Sequence, residues 1–156
     1  MTPQDISGRG RDEGMEMKHY KIGYTDGVYD LFHVGHLNMI EAAKKQCDYL
    51  IVGVHGDEVV RQYKHHYPII PETERARIIG AVKGVDKVVI NQVRDKLVLS
   101  EQYGFHVVFI GDDWKGTDRW NRFEAILGER NVDVVYVPYT KGISTTDIKK
   151  RILDLA

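Results

Sequence analysis

The sequence has one cysteine among its 156 residues, so neither an internal disulfide framework nor a zinc cluster built on cysteines can form. No apolar run approaches the roughly 18 residues of a membrane span, and the first residues lack the apolar stretch of a signal peptide. Acidic and basic side chains nearly balance, at a formal net charge of −1. Without a basic field, nucleic acid is a poor default partner. We expect a cytoplasmic protein that binds neither nucleic acid nor membrane.

The composition is that of an ordinary globular protein, with 42% hydrophobic and 29% charged residues. A chain of this length can bury a substantial core as one domain. Residues 1–17 are polar, aperiodic and rich in glycine, which predicts a disordered N-terminal tail. The domain itself is expected over residues 18–156.

Apolar segments alternate with amphipathic segments along that domain. The predicted strands are residues 18–24, 49–54, 85–90, 107–110 and 132–137. The predicted helices are residues 34–46, 96–103, 120–129 and 146–155, with another that begins at residue 72. This alternation predicts a single Rossmann-like, doubly wound α/β domain on a five-stranded parallel sheet. Right-handed crossovers bring the loops that follow the strands to one edge of the sheet, where ligands bind.

One stretch, residues 22–36, concentrates the candidate chemistry. It passes from an apolar strand through a glycine-containing turn and brings His33 and His36 to the start of an amphipathic helix. The free amides of a helix N-terminus favour a bound phosphate, and histidines there can donate hydrogen bonds to its oxygens. The alternatives are a metal pair or two structural histidines. A metal pair favours i, i+4 spacing and a third ligand nearby. The strand and the glycine-containing turn before the histidines favour the phosphate site over both alternatives.

This stretch resembles the H-x-G-H signature of the cytidylyltransferases, within the nucleotidyltransferase superfamily. The resemblance implies that His33 and His36 contact a triphosphate and stabilise the transition state at its α-phosphorus, while Gly35 permits close approach of the nucleotide. Asp30 matches the family's aspartate and is assigned to the acceptor substrate. The residues before it are assigned to the nucleotide, namely Asp26, Gly27, Val28 and Tyr29. Val28 stands where glycerol-3-phosphate members usually carry threonine.

A second segment, residues 139–146, resembles the family's R-T-E-G-I-S-T-T sequence. The resemblance assigns nucleotide contacts to Gly142, Ile143, Ser144 and Thr145. Taken alone, the hydroxyl residues favour a plain helix cap. Tyr139 replaces the family's arginine and Lys141 its glutamate. Lys141 is therefore the candidate replacement for the missing positive charge, although an ammonium cannot make the bidentate contacts of a guanidinium.

A third segment, residues 111–116, matches the G-D-D-W-x-G sequence of glycerol-3-phosphate cytidylyltransferases. The resemblance assigns Gly111, Asp112 and Asp113 to the nucleotide and Trp114 to the acceptor. The residue types alone leave three interpretations open. Adjacent carboxylates beside an aromatic ring fit a metal site, a ribose and base site, or a solvated loop.

Three more basic side chains are candidates. Arg75 matches the family's E-R/H-R motif, which implies a contact with phosphate or nucleotide; otherwise it is a surface helix charge. Lys64 lies in a basic segment and, by resemblance, neutralises the triphosphate and the acceptor phosphate. His55, at the end of the second predicted strand, either lines the acceptor pocket or caps the strand.

The resemblance covers about residues 20–153 and implies an enzyme that transfers CMP from CTP to a small phosphorylated alcohol, most closely glycerol 3-phosphate. It also implies a homodimer and a Mg²⁺ ion carried by the nucleotide. The catalytic candidates are His33, His36, Lys64 and Arg75. The alternatives are ethanolamine phosphate or another polyol or sugar phosphate as acceptor, ATP as donor, or a nucleotide-binding regulatory protein without turnover. A dinucleotide-dependent oxidoreductase is excluded because no G-x-G-x-x-G follows the first strand.

Overall fold

A computed structural model describes residues 19–156. The predicted tail, residues 1–17, lies outside the described residues. The strands are β1 (Tyr20–Gly27), β2 (Cys47–His55), β3 (Lys87–Asn91), β4 (Val107–Gly111) and β5 (Asp133–Val137). The helices are α1 (Val34–Lys44), α2 (Asp57–Lys64), α3 (Glu72–Gly80), α4 (Lys96–Tyr103), α5 (Asp118–Gly128) and α6 (Thr145–Leu155). Within the described part of the chain, no helix is long and apolar enough to cross a membrane.

The five strands form one parallel sheet in the order β3-β2-β1-β4-β5, which confirms the predicted Rossmann-like α/β architecture. Neighbouring strands β1 and β4 mark the point where the chain changes direction across the sheet. Ligands bind at such a point, beyond the carboxyl ends of the strands.

Strand β1 follows its two neighbours for different lengths. It pairs with β2 from Tyr20 to Gly27, but with β4 only at Gly23 and Tyr24. Beyond Tyr24 the hydroxyl of Thr25 donates to the Phe109 carbonyl at 2.9 Å, a side-chain bond where the backbone ladder has ended. The carboxyl ends of β1 and β4 therefore diverge and leave a crevice at the switch point.

Helices cover both faces of the sheet. On one face, α1 and α3 bury Ile40, Ala43 and Ile79 against residues of β2 and β4. On the other face, α4 and α5 bury Leu99 and Trp120 in a second apolar cluster. Because both faces are covered, the strands carry the continuous apolar runs from which they were predicted.

The boundaries differ from the predictions where polar residues take part in regular structure. Strand β1 extends to Gly27 rather than ending at Tyr24, because Thr25 and Asp26 find buried polar partners. Helix α5 begins at Asp118, capped by the Thr117 hydroxyl, and the loop before it contains a short 3₁₀ turn, Asp112–Trp114. Gly104 ends α4 in the left-handed conformation, with φ 66°.

Candidate active site

A cavity of about 380 Å³ opens at the crevice between β1 and β4, bounded by the N-terminal ends of α1 and α6. Most of the predicted site residues line it. They are Asp26, Gly27, Val28, Tyr29, Asp30, His33, Gly35, His36, Lys64, Gly111, Asp113, Trp114, Ile143, Ser144 and Thr145. Four predicted residues do not line it, namely His55, Arg75, Asp112 and Gly142.

The two histidines cap the helix they introduce. The backbone N–H of Gly35 donates to Nδ1 of His33 at 3.0 Å, and the backbone N–H of His33 donates to Nδ1 of His36 at 3.2 Å. This reciprocal arrangement is a capping box in which imidazoles take the usual places of Ser or Thr and Glu. An Nδ1 that accepts a hydrogen bond carries no proton, so each neutral ring must carry its proton on Nε2.

Burial keeps both rings neutral. Desolvation lowers the pKa of His33 below its usual value. Desolvation, and then the neighbouring His33, lower the pKa of His36 to about 4, with the two ring centroids 3.8 Å apart. At neutral pH the pair is thus two uncharged imidazoles, each with one Nε2–H donor.

The turn before these histidines is strained. Tyr29 and Leu31 both have left-handed backbones, with φ of 57° and 51°, which costs on the order of 1–3 kcal/mol at each residue. The Tyr29 ring is buried and lies edge-on to His36, with 5.3 Å between centroids. Packing of this ring helps to hold both the turn and the His36 imidazole in place.

The N-terminus of α6 forms the facing part of the cavity wall. The Ser144 hydroxyl accepts from the Asp147 N–H at 3.0 Å and caps the helix, as predicted. The Thr145 hydroxyl donates to the Asp30 carbonyl at 2.8 Å, which ties α6 to the turn after β1. Two helix N-termini thus border one cavity, an arrangement that favours an anion with several charges.

Two lysines face the cavity, but Lys141 is not one of them. Lys141 is exposed and lies outside the cavity, whereas Lys149, one turn into α6, lines it together with Lys64. Partial desolvation and then the positive charge of Lys149 lower the pKa of Lys64, so the two ammonium groups feel one another. Sequence analysis missed Lys149 because it stands among other charged residues of the helix, a pattern typical of a solvent-exposed face.

Arg75 is placed differently from the expectation. It is 1% exposed and lies outside the cavity. Its guanidinium donates to the carbonyls of Ile70, Val28 and His55 and to the Asp57 carboxylate, at 2.6–2.9 Å. The side chain therefore joins the ends of β1 and β2 to α2 and to the segment before α3, and four of its five N–H groups are used in these bonds.

Asp30 anchors the same segment. Its two carboxylate oxygens accept from the backbone N–H groups of Ile69 and Ile70, at 2.8 and 3.0 Å. Asp30 lines the cavity, but its carboxylate already serves the fold. Together Asp30 and Arg75 fix residues 65–71 against the strand ends, next to the helix that carries Lys64.

The remaining predicted residues outside the cavity have local roles. The Asp112 carboxylate accepts from the Tyr139 N–H at 3.1 Å and joins the loops after β4 and β5. Gly142 has φ 85°, so it allows the turn that leads into Ser144. His55 is buried behind the cavity, with Nδ1 3.0 Å from the Tyr63 hydroxyl and Nε2 3.6 Å from an Asp26 oxygen.

Known proteins are similar to this chain in sequence and in fold. A family model described as cytidylyltransferase-like matches residues 24–151. The chain is 35% identical over 134 residues to the glycerol-3-phosphate cytidylyltransferase of Bacillus spizizenii, covering 84% of this chain and 96% of that one. It is 36% identical over 149 residues to the ethanolamine-phosphate cytidylyltransferase of Dictyostelium discoideum, covering 86% of this chain but only 38% of that longer protein.

Among solved structures, the fold is similar to the lipopolysaccharide core biosynthesis protein from Thermoplasma volcanium GSS1. The TM-score is 0.66 at 23% identity, covering 80% of this chain and 99% of that chain. This likeness concerns the architecture alone.

The depressed pKa of His36 predicts a pH dependence of stability. Between about pH 6.5 and 4 the unfolded chain takes up a proton at His36 that the folded protein does not. As the pH decreases through this range, the contribution of His36 to the free energy of unfolding should therefore decrease by up to about 3 kcal/mol. Gln at the same position can accept the His33 N–H but does not titrate. In urea titrations, the stability advantage of the wild type over His36→Gln should shrink as the pH falls; parallel pH profiles would contradict the assignment.

Proposed function

The chain belongs to the cytidylyltransferase-like family, and on that premise we propose that it transfers CMP from CTP to a small phosphorylated alcohol, with glycerol 3-phosphate as the preferred acceptor. A phosphate oxygen of the acceptor forms a bond to the α-phosphorus of CTP. The bond from that phosphorus to the bridging oxygen breaks, and pyrophosphate leaves with the electron pair. With glycerol 3-phosphate the product is CDP-glycerol.

The two histidines that cap α1 carry this proposal. A phosphate dianion is already a nucleophile, so the protein needs no nucleophile of its own, and catalysis reduces to positioning and charge stabilisation. The Nε2–H groups of His33 and His36 are donors fixed before the substrate arrives, at a cavity wall that also presents helix amides. Donors of this kind act most strongly on charge that develops in the transition state.

The facing helix supplies the remaining phosphate contacts. In the proposal, the amides at the start of α6 and the O–H of Ser144 hold the β- and γ-phosphates, and Lys149 supplies the charge that the family's arginine provides elsewhere. Lys64, from the other wall, neutralises the α-phosphate and the incoming acceptor phosphate. Asp113 and Trp114 bind the ribose and part of the acceptor, with Gly111 allowing the backbone to approach closely.

A Mg²⁺ ion enters this proposal with the substrate. Among residues 19–156 no group of three or more His, Cys, Asp or Glu side chains could hold a metal ion. The described residues therefore offer no resident metal cage, and in the proposal the Mg²⁺ ion is part of the substrate, MgCTP. The chain's own residues bind and orient the triphosphate and stabilise its charge.

Two observations bear on the acceptor. The relative named for glycerol 3-phosphate matches this chain over 96% of its own length, and the G-D-D-W loop lines the cavity except for Asp112. Ethanolamine phosphate is the second candidate, because a relative named for it is equally similar. Pyrophosphate release, with CTP and ATP crossed against glycerol 3-phosphate, ethanolamine phosphate, choline phosphate and sugar phosphates, distinguishes the candidates.

Substitutions that keep the caps test the donor role of the histidines. Asn at position 33 and Gln at position 36 can still accept the two backbone N–H groups, but the N–H bonds of their amides point in other directions than the imidazole Nε2–H. For His33→Asn and His36→Gln we expect kcat to fall by roughly 100-fold or more, while the CTP dissociation constant measured by calorimetry changes by less than about threefold. His19→Gln, at the opposite end of β1, is the matched control. Parallel losses of kcat and CTP affinity would contradict the donor role.

A pair of lysine variants tests the phosphate contact of α6. Lys149 lines the cavity and Lys141 does not. Because a charge-assisted contact contributes about 1.5–3 kcal/mol, Lys149→Ala should weaken CTP binding by roughly tenfold or more. Lys141→Ala should change it by less than about twofold, since exposed charges contribute little. A larger effect at Lys141 than at Lys149, measured by calorimetry at one ionic strength, would overturn the assignment.

A further inference from the structure

A buried ion pair lies at the floor of the cavity. Asp26, near the end of β1, lines the cavity although its side chain is only 4% exposed. One of its carboxylate oxygens is 2.9 Å from Nζ of Lys96, the first residue of α4. Lys96 is equally buried and does not line the cavity, so it approaches Asp26 from behind. Its ammonium also donates to the Arg94 carbonyl at 3.2 Å.

The carboxylate of Asp26 is held in its charged form. Burial alone would raise the pKa of Asp26, but the Lys96 ammonium, followed by His55, outweighs burial and holds that pKa below its usual range. The Tyr24 hydroxyl donates to the same oxygen as Lys96, at 2.9 Å. The negative charge of Asp26 is therefore matched within the protein before any substrate enters.

The other carboxylates of the cavity do not supply an unmatched negative charge either. Asp30 accepts two backbone N–H groups and faces the positive charge of Lys64. Asp113 lies on an exposed loop, where water screens its field. The floor thus offers carboxylate oxygens that can accept hydrogen bonds, without a net negative charge that would attract a cation.

The acceptor shares one cavity with this floor. In the proposed function its phosphate lies at Lys64, and both Lys64 and Asp26 line the cavity of about 380 Å³. In-line displacement brings the acceptor to the α-phosphorus from the side opposite to pyrophosphate, so its tail extends away from the pyrophosphate. The tail is then left to contact the floor at Asp26.

We propose that Lys96 is a specificity-determining residue that acts through Asp26, so that the enzyme selects acceptor phosphates with an uncharged hydroxyl tail over those with an ammonium tail. This inference rests on the proposed function. A hydroxyl can donate to Asp26 while Lys96 stays in place. An ammonium gains no net attraction from a carboxylate that is already paired, and it loses its hydration on entry.

A matched pair of acceptors tests the wild-type enzyme directly. 2-Hydroxyethyl phosphate and 2-aminoethyl phosphate have the same length and differ at the terminal group, which is neutral in one and cationic in the other. With CTP and Mg²⁺, we expect kcat/KM to be higher for the hydroxyl compound by at least about tenfold. This is the size of effect expected when one charge enters the cavity without an opposite charge to balance it. Equal values, or a preference for the amine, would overturn the inference.

Variants at position 96 test the mechanism. Lys96→Met removes the ammonium that matches the charge of Asp26, so the ratio of the two kcat/KM values should shift toward the amine by at least about tenfold, whereas Lys96→Arg should keep the wild-type ratio. The double variant Asp26→Asn with Lys96→Met lacks both charges of the pair and should keep the hydroxyl preference. Lys83→Met, an exposed lysine exchanged in the same way, is the control. A purely structural role of Lys96 would lower both activities together and leave the ratio unchanged, which would also overturn the inference.

The outcomes separate this inference from the proposed function. If the wild type releases no pyrophosphate with any phosphorylated alcohol, the proposed function fails. If it turns over CTP but the ratio does not favour the hydroxyl acceptor, the proposed function stands and the role of Lys96 fails. An unpaired buried carboxylate can unfold a protein, so thermal melting is recorded for each variant, and the wild-type comparison decides if Lys96→Met does not fold.

Discussion

The site depends on two backbone N–H groups that need acceptors at the start of α1. A helix N-terminus leaves such groups without partners, and here the imidazoles of His33 and His36 accept them. The same hydrogen bonds that stabilise the helix decide where each imidazole keeps its proton. The two rings stack on one another, and burial keeps both neutral by lowering their pKa values. Helix capping and the supply of two oriented donors are thus one arrangement.

The surrounding elements hold this arrangement through polar bonds that join segments distant in sequence. The Thr145 hydroxyl ties α6 to the turn after β1, and Arg75 ties that turn to β2 and to the segment before α3. These bonds are buried or partly buried, so their partners have little access to water, and losing one leaves an unsatisfied group. The strained backbone of Tyr29 persists because these neighbours determine its position. The ion pair of Asp26 and Lys96, which has no net charge, forms the floor of the cavity.

The sequence was sufficient to predict the sheet, since strands buried on both faces carry apolar runs such as those of β2, and to bring most site residues to one edge. It was not sufficient where a charged residue has two plausible partners. Arg75 in a helix with a family motif has the same sequence pattern whether it binds phosphate or backbone carbonyls, and only tertiary contacts reveal the second. Lys96 at a helix start is typical of a surface residue, yet its partner Asp26 lies on strand β1, distant in sequence. Lys149 became a site residue only when the direction of α6 was known.

The most direct test is the protonation of the two imidazoles. Long-range ¹H–¹⁵N correlation spectra of the ¹⁵N-labelled protein, at pH 7 and without nucleotide, distinguish the two neutral tautomers from the imidazolium. The spectra of His33→Asn and His36→Gln assign the signals. We predict that both rings are neutral, with the proton on Nε2 and an unprotonated Nδ1. A proton on Nδ1 of either ring, or a charged ring at pH 7, would contradict it.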